Sequence, residues 1–139
     1  MDTTVKSPGL LAASSAPKAI AIPWLSVTLL FCLEMAFTAG YELLPQGAQA
    51  FARLGFHAGF FRMELSWAKL LGIVVLLAPM PPRLKEWAYA GFAINLVSAL
   101  IAHLALGEGP QAWAASAVTS VLWGLSYFIW RRRQTTAGA

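Results

Sequence analysis

Four separate apolar runs of about twenty residues constrain this chain more than any other feature, because a helix rising about 1.5 Å per residue crosses about 30 Å of hydrocarbon in that length. They fall at about Ile20–Gly40, Phe60–Ala78, Trp87–Leu106 and Ala112–Trp130. Their separators are turn-rich: Leu44-Pro45-Gln46-Gly47, Pro79-Met80-Pro81-Pro82 and Gly107-Glu108-Gly109-Pro110. The composition agrees, at 58% hydrophobic and 12% charged against roughly 45–50% and 25% in soluble chains. A water-soluble globule of 139 residues is excluded, since so few charges cannot cover its surface. No strand alternation competes with the helical reading, and open sheet edges are not tolerated in lipid. The predicted fold class is all-α, a membrane-spanning four-helix bundle.

Basic residues set the expected orientation. Lys6 and Lys18 precede the first span, Arg83 and Lys85 lie between the second and third, and Arg131, Arg132 and Arg133 follow the fourth; Arg53 and Arg62 fall in the other loops. This bias places both termini in the cytoplasm. The domain reading is a flexible N-terminal tail over 1–19, spans over 20–130 and a basic tail over 131–139. A cleaved signal peptide is disfavoured, because the first apolar stretch starts late, contains Glu34 and lacks a convincing A-x-A site. The net charge of +4 reads as a lipid-facing and topological signal, not a nucleic-acid surface. Trp24, Trp87 and Trp130 at the inner boundary, with Tyr41 and Trp113 at the outer one, read as an aromatic belt. The longest connection, Glu42–Gly59, carries Phe51, Leu54 and Phe56 around Arg53, a pattern suited to a short amphipathic segment on the outer face.

Ionisable residues inside the spans are the most informative, each costing about 2.5–3.5 kcal/mol at mid-membrane. The second span carries Glu64 and Lys69. Lys69 lies roughly 13 Å from the outer end by helical rise, too deep to snorkel easily. It needs a partner, expected to be Glu34 of the first span or Glu64 of its own. The third span adds Asn95, Ser98 and His103, with Asn95 and His103 at i and i+8 on neighbouring parts of one face. Glu34, Glu64, Lys69, Asn95 and His103 are therefore read as a candidate polar pocket in the outer half. Such a pocket can move protons through a carboxylate–imidazole pair, hydrogen-bond a quinone, sterol-like or other lipophilic carbonyl ligand, or simply fix helix register.

Other chemistries are limited by what is missing. A single cysteine, Cys32, excludes an intramolecular disulfide, a paired-thiol relay and a cysteine cluster. No His/Glu pair has metal-ligand spacing, so no metal site is expected. Neither a phosphate-binding glycine loop nor a nucleophile elbow is present. Ala112, Ser116, Ser120 and Gly124 recur every four residues in the last span, a row suited to close helix packing or to dimerisation.

The stretches FARLGFHAGFFRMELSWAKLLG (Phe51–Gly72) and LKEWAYAGFAINLVSALIAHLALGEG (Leu84–Gly109) resemble the DoxX-like family of small four-helix membrane proteins, over about Ile20 to Trp130. The resemblance implies a four-span bundle in a bacterial inner membrane but carries no settled catalytic motif. Relatives in the wider superfamily are similar to subunits of thiosulfate:quinone oxidoreductases or to membrane partners of oxidative-stress proteins. The expected role is that of an accessory or binding protein for a lipophilic small molecule or a membrane partner subunit, in contact with the bilayer. The alternative is a quinone-linked oxidoreductase or isomerase using Glu34, Glu64 and His103; a structural assembly factor is the third reading. Quinone is the one cofactor this reading admits, and a homo-oligomer is an alternative to a foreign partner.

Overall fold

A computed structural model describes residues 16–138. Most of the expected N-terminal tail, 1–19, lies outside the described residues. The remainder forms five helices: α1 (Ala16–Leu43), α2 (Pro45–Arg53), α3 (Gly59–Leu77), α4 (Pro82–Ala105) and α5 (Pro110–Ala137). Among the described residues there are no strands. α1 from Ala19 onward, α4 and α5 are long and apolar enough to cross a membrane. α3 has 19 residues but carries Arg62, Glu64 and Lys69 within its apolar run.

α1, α4 and α5 extend beyond the apolar segments that predicted them, while α3 keeps the expected length shifted by one residue, and local chemistry explains several of the starts and stops. α2, α4 and α5 each begin on a proline. Its fixed φ suits the first helical position, where its missing N–H would be unpaired in any case. The separators that read as turns therefore also supply helix starts. Gly55 and Gly107 take positive φ, 88° and 67°, just after α2 and α4. Around them Phe56 N–H reaches the Phe51 carbonyl (2.9 Å) and Glu108 N–H that of His103 (3.2 Å). Both ends are Schellman motifs, which satisfy the last helical carbonyls.

The four long helices pack in cyclic order: α1 against α3 and α5, α4 against the same two, with α2 crossing the α1–α3 end. α1 turns Trp24, Thr28, Phe31, Met35 and Glu42 inward, following the three- and four-residue steps that keep a helix face aligned. The core joins Trp24, Phe31, Cys32, Met35, Leu76, Tyr89, Phe92, Leu96 and Trp130, with Phe31 and Phe92 meeting edge-on at 5.1 Å. α3 and α4 approach closely where Gly72 faces Phe92; an added Cβ there would lie 2.8 Å from the ring. Large apolar side chains such as Leu33, Phe37, Ile94, Val118 and Val121 point outward on α1, α4 and α5, surface that water would not tolerate over such an area.

Two expectations about aromatic residues are corrected. Trp24 and Trp130 are buried, not part of an interfacial belt. Both fall on inward faces of their helices, and nearness to a helix end says nothing about rotation about its axis. Trp87 and Tyr41 are exposed, as a belt requires.

Candidate functional site

Lys69 is buried and paired, but with neither expected partner. Lys69 Nζ donates to the carboxylate of Glu42 in the last turn of α1. Ser66 Oγ lies 3.1 Å from the other Glu42 oxygen and 3.0 Å from the Arg62 carbonyl, so its one proton serves one acceptor at a time. Arg62 in turn donates to the Glu42 backbone carbonyl and, at 3.4 Å, approaches that of Leu44. It thus places a cation on the Glu42 carbonyl at the C-terminal end of α1, where the helix dipole favours positive charge.

Helical geometry explains the partner change. Arg62, Ser66 and Lys69 fall at i, i+4 and i+7, within about 60° of one another, whereas Glu64 is about 140° around the helix from Lys69. Glu64 is exposed. On α1, Thr28, Met35 and Glu42 recur every seven residues, so a helix running past Gly40 carries Glu42 onto the buried face. Sequence reading assigned Glu42 and Arg62 to a loop and missed both. The seven-residue spacing was the available signal.

The other expected pocket members go to separate partners. Glu34, half-buried, accepts from Thr119 on α5. His103 Nδ1 contacts the Glu108 carboxylate, reinforcing the backbone bond between the same two residues at the end of α4. Asn95 stays near Lys69: both line a cleft of about 320 Å³ between α3 and α4, otherwise formed by apolar residues such as Leu65, Gly72, Trp87 and Phe92. Among the described residues no three His, Cys, Asp or Glu side chains approach closely enough to hold a metal ion.

A second polar cluster, unforeseen in the sequence, lies toward the end that bears the arginines. Ser126 Oγ sits 2.7 Å from both Thr28 Oγ1 and the Tyr89 hydroxyl, and the Trp24 indole N–H donates to Tyr89 at 3.3 Å. Trp123 donates to the Tyr89 backbone carbonyl at 2.9 Å. Thr28, Tyr89 and Ser126 are almost wholly buried, so these bonds join α1, α4 and α5 out of reach of solvent. Ser126→Ala removes the shared centre and is expected to cost about 1–3 kcal/mol, at about 0.6–2 kcal/mol per bond in a membrane setting. Thermal unfolding in detergent measures it; a variant that melts with the wild type shows the cluster to be dispensable.

The last-span row Ala112, Ser116, Ser120 and Gly124 is half-buried, and a Cβ added at Gly124 would meet nothing within 4 Å. The deepest polar residues of α5 are instead Thr119 and Ser126.

No curated protein and no solved structure matches the chain. The buried ion pair, apolar clefts and outward hydrocarbon surface belong to a membrane protein, and residues 26–126 match the model of the DoxX-like family, to which this chain belongs.

Proposed function

We propose that the chain is a four-span membrane protein that binds a lipophilic carbonyl compound of the quinone or sterol-like type in the α3–α4 cleft, as an accessory or binding protein. The observation that carries this reading is the cleft itself. Its volume of about 320 Å³ falls at the lower end of small-molecule sites, and it combines apolar walls with a small number of polar groups, the usual composition of such sites. Lys69 and Asn95 supply those groups; an ammonium and an amide N–H both suit a carbonyl acceptor. α3 serves as the fourth span in this reading, because its lysine is neutralised by Glu42 and its cyclic packing matches that of the other three.

Arg83, Lys85 and Arg131–Arg133 gather at the end opposite α2. That bias supports a cytoplasmic placement for both termini, and family membership supports a bacterial inner membrane. α5 continues as a helix through the three arginines, so the basic tail over 131–139 is helical for most of its length. An enzyme using Glu34, Glu64 and His103 has less support, since Glu34 bonds Thr119, His103 contacts Glu108 and Glu64 is exposed. Exposed apolar helix faces suit lipid or a partner subunit equally well.

Gly91 offers a direct test. It lines the cleft, and a Cβ added there meets nothing within 4 Å, so Gly91→Leu fills the cleft without a clash at its root. Wild-type protein extracted in mild detergent is expected to carry a lipophilic compound detectable by mass spectrometry. Gly91→Leu is expected to lose at least about nine-tenths of it, as one tenfold step in affinity implies, with its melting temperature retained. Repeated recovery of bare wild-type protein, or equal retention by Gly91→Leu, refutes the reading.

A further inference from the structure

A second cleft, of about 670 Å³, opens at the arginine end between the start of α1, the α3–α4 connection and the end of α5. Its floor is apolar, with Ile20, Leu77 and Met80 among its residues, while Lys85 and Arg133 stand on its walls. Both cations rest against one indole: Lys85 Nζ is 5.2 Å and the Arg133 guanidinium carbon 4.7 Å from the Trp24 ring centroid. Trp24 is fixed by burial and by its bond to Tyr89, so it sets the position of both charges from below. Lys85 spends one N–H on the Leu76 carbonyl at 2.7 Å, which caps α3, and keeps two for another acceptor. None of the described residues lining the cleft is acidic. The nearby carboxylate of Glu86 is taken by Arg131 at 2.8 Å.

Two cations held together with no acidic side chain of the described residues between them, above an apolar floor, form a site for an anion that carries a hydrocarbon tail. A phosphate oxygen suits both the ammonium and the guanidinium fork, and basic pockets between membrane helices suit anionic headgroups. We propose that this cleft binds the phosphate of an anionic phospholipid, with Arg133 and Lys85 on the phosphate and an acyl chain along Leu77 and Met80. Arg131 and Arg132 do not line the cleft: the first pairs with Glu86 and the second stacks on Phe128, which lies outside it. The site is separate from the α3–α4 cleft and does not depend on what that cleft binds.

The three adjacent arginines provide the test, because Arg131→Gln, Arg132→Gln and Arg133→Gln remove the same charge from the same helix. Each full-length variant, in a zwitterionic detergent, is titrated with dioleoyl phosphatidylglycerol, with dioleoyl phosphatidylcholine and with inorganic phosphate, and bound lipid is counted by native mass spectrometry. The proposal expects phosphatidylglycerol to bind the wild type at least about tenfold more tightly than phosphatidylcholine. It expects Arg133→Gln to erase that preference while Arg131→Gln and Arg132→Gln keep it within about twofold, and millimolar inorganic phosphate not to displace the lipid. Equal losses in all three variants would mean a diffuse charge effect and overturn the site. Equal binding of the two lipids overturns it as well. Displacement by inorganic phosphate would reduce it to a phosphate-ion site and overturn the lipid assignment.

Discussion

Lys69→Met is expected to destabilise the protein by about 3–5 kcal/mol, the range for breaking a buried ion pair from one side. The substitution keeps the length and apolar character of the side-chain stem but leaves the Glu42 carboxylate, also buried, with Ser66 as its remaining side-chain partner. Glu42→Gln is expected to cost a similar amount, since it strands an ammonium about halfway along α3. The double variant Glu42→Gln/Lys69→Met removes both charges and keeps an acceptor for Ser66. It is expected to recover most of the loss, because replacing a whole buried pair by uncharged groups is often close to neutral. Melting of the four proteins in one detergent completes the cycle. If the single losses simply add in the double variant, Lys69 and Glu42 are uncoupled and the pair does not hold α1 to α3.

Gly47→Ala acts on the same junction through the backbone. A Cβ at Gly47 would lie 2.4 Å from the Tyr41 carbonyl oxygen and 2.7 Å from the Glu42 Cα. Neither atom can rotate away, so α2 must lift from the end of α1 and disturb the turn that carries Glu42. Overpacking usually costs about 1–3 kcal/mol, and a collision with main chain belongs at or above the top of that range. Gly40→Ala is the matched control, because its Cβ meets nothing within 4 Å; it should gain slightly in helix propensity. Equal melting temperatures for the two variants would show that α2 does not rest on α1 at this point.

How far the sequence reveals this arrangement depends on whether a feature lies along a helix or around it. The four apolar runs located α1, α3, α4 and α5 because length and hydrophobicity are one-dimensional properties. The short helix α2 falls inside the connection read as an amphipathic segment, and the starts of α4 and α5 moved outward because prolines began them, while the glycine after α4 closed it within one residue of its apolar run. Rotation was harder. Trp24 and Trp130 have the positions of interfacial residues but the orientation of core residues. Asn95 and His103, eight residues apart, drift about 80° on a straight helix; one lines the α3–α4 cleft and the other turns to Glu108. Glu42 and Arg62 were discounted as loop residues when the useful question was which face of an extended helix they occupied. The Thr28–Ser126–Tyr89 cluster gave no warning, since isolated hydroxyls in apolar helices often bond back to their own backbone, as Ser120 does to Ser116.

The partner of Lys69 lies on an earlier helix, and this has a consequence for biogenesis. On its own, a 19-residue segment with Arg62, Glu64 and Lys69 is a poor substrate for the insertion machinery, because three charges outweigh returns of about 0.3–0.6 kcal/mol per aliphatic residue. The residue that offsets one of those charges has already been synthesised when α3 emerges, at the end of α1 and joined to it by the short arm of α2. If α3 is the fourth span, as proposed, the growing chain is expected to integrate α1 and α3 as one hairpin, with Arg62 closing the first helix as Lys69 enters beside it. In the proposed four-span arrangement the ion pair is expected to act at synthesis as well as in the finished fold, making the span that carries Lys69 conditional on the first.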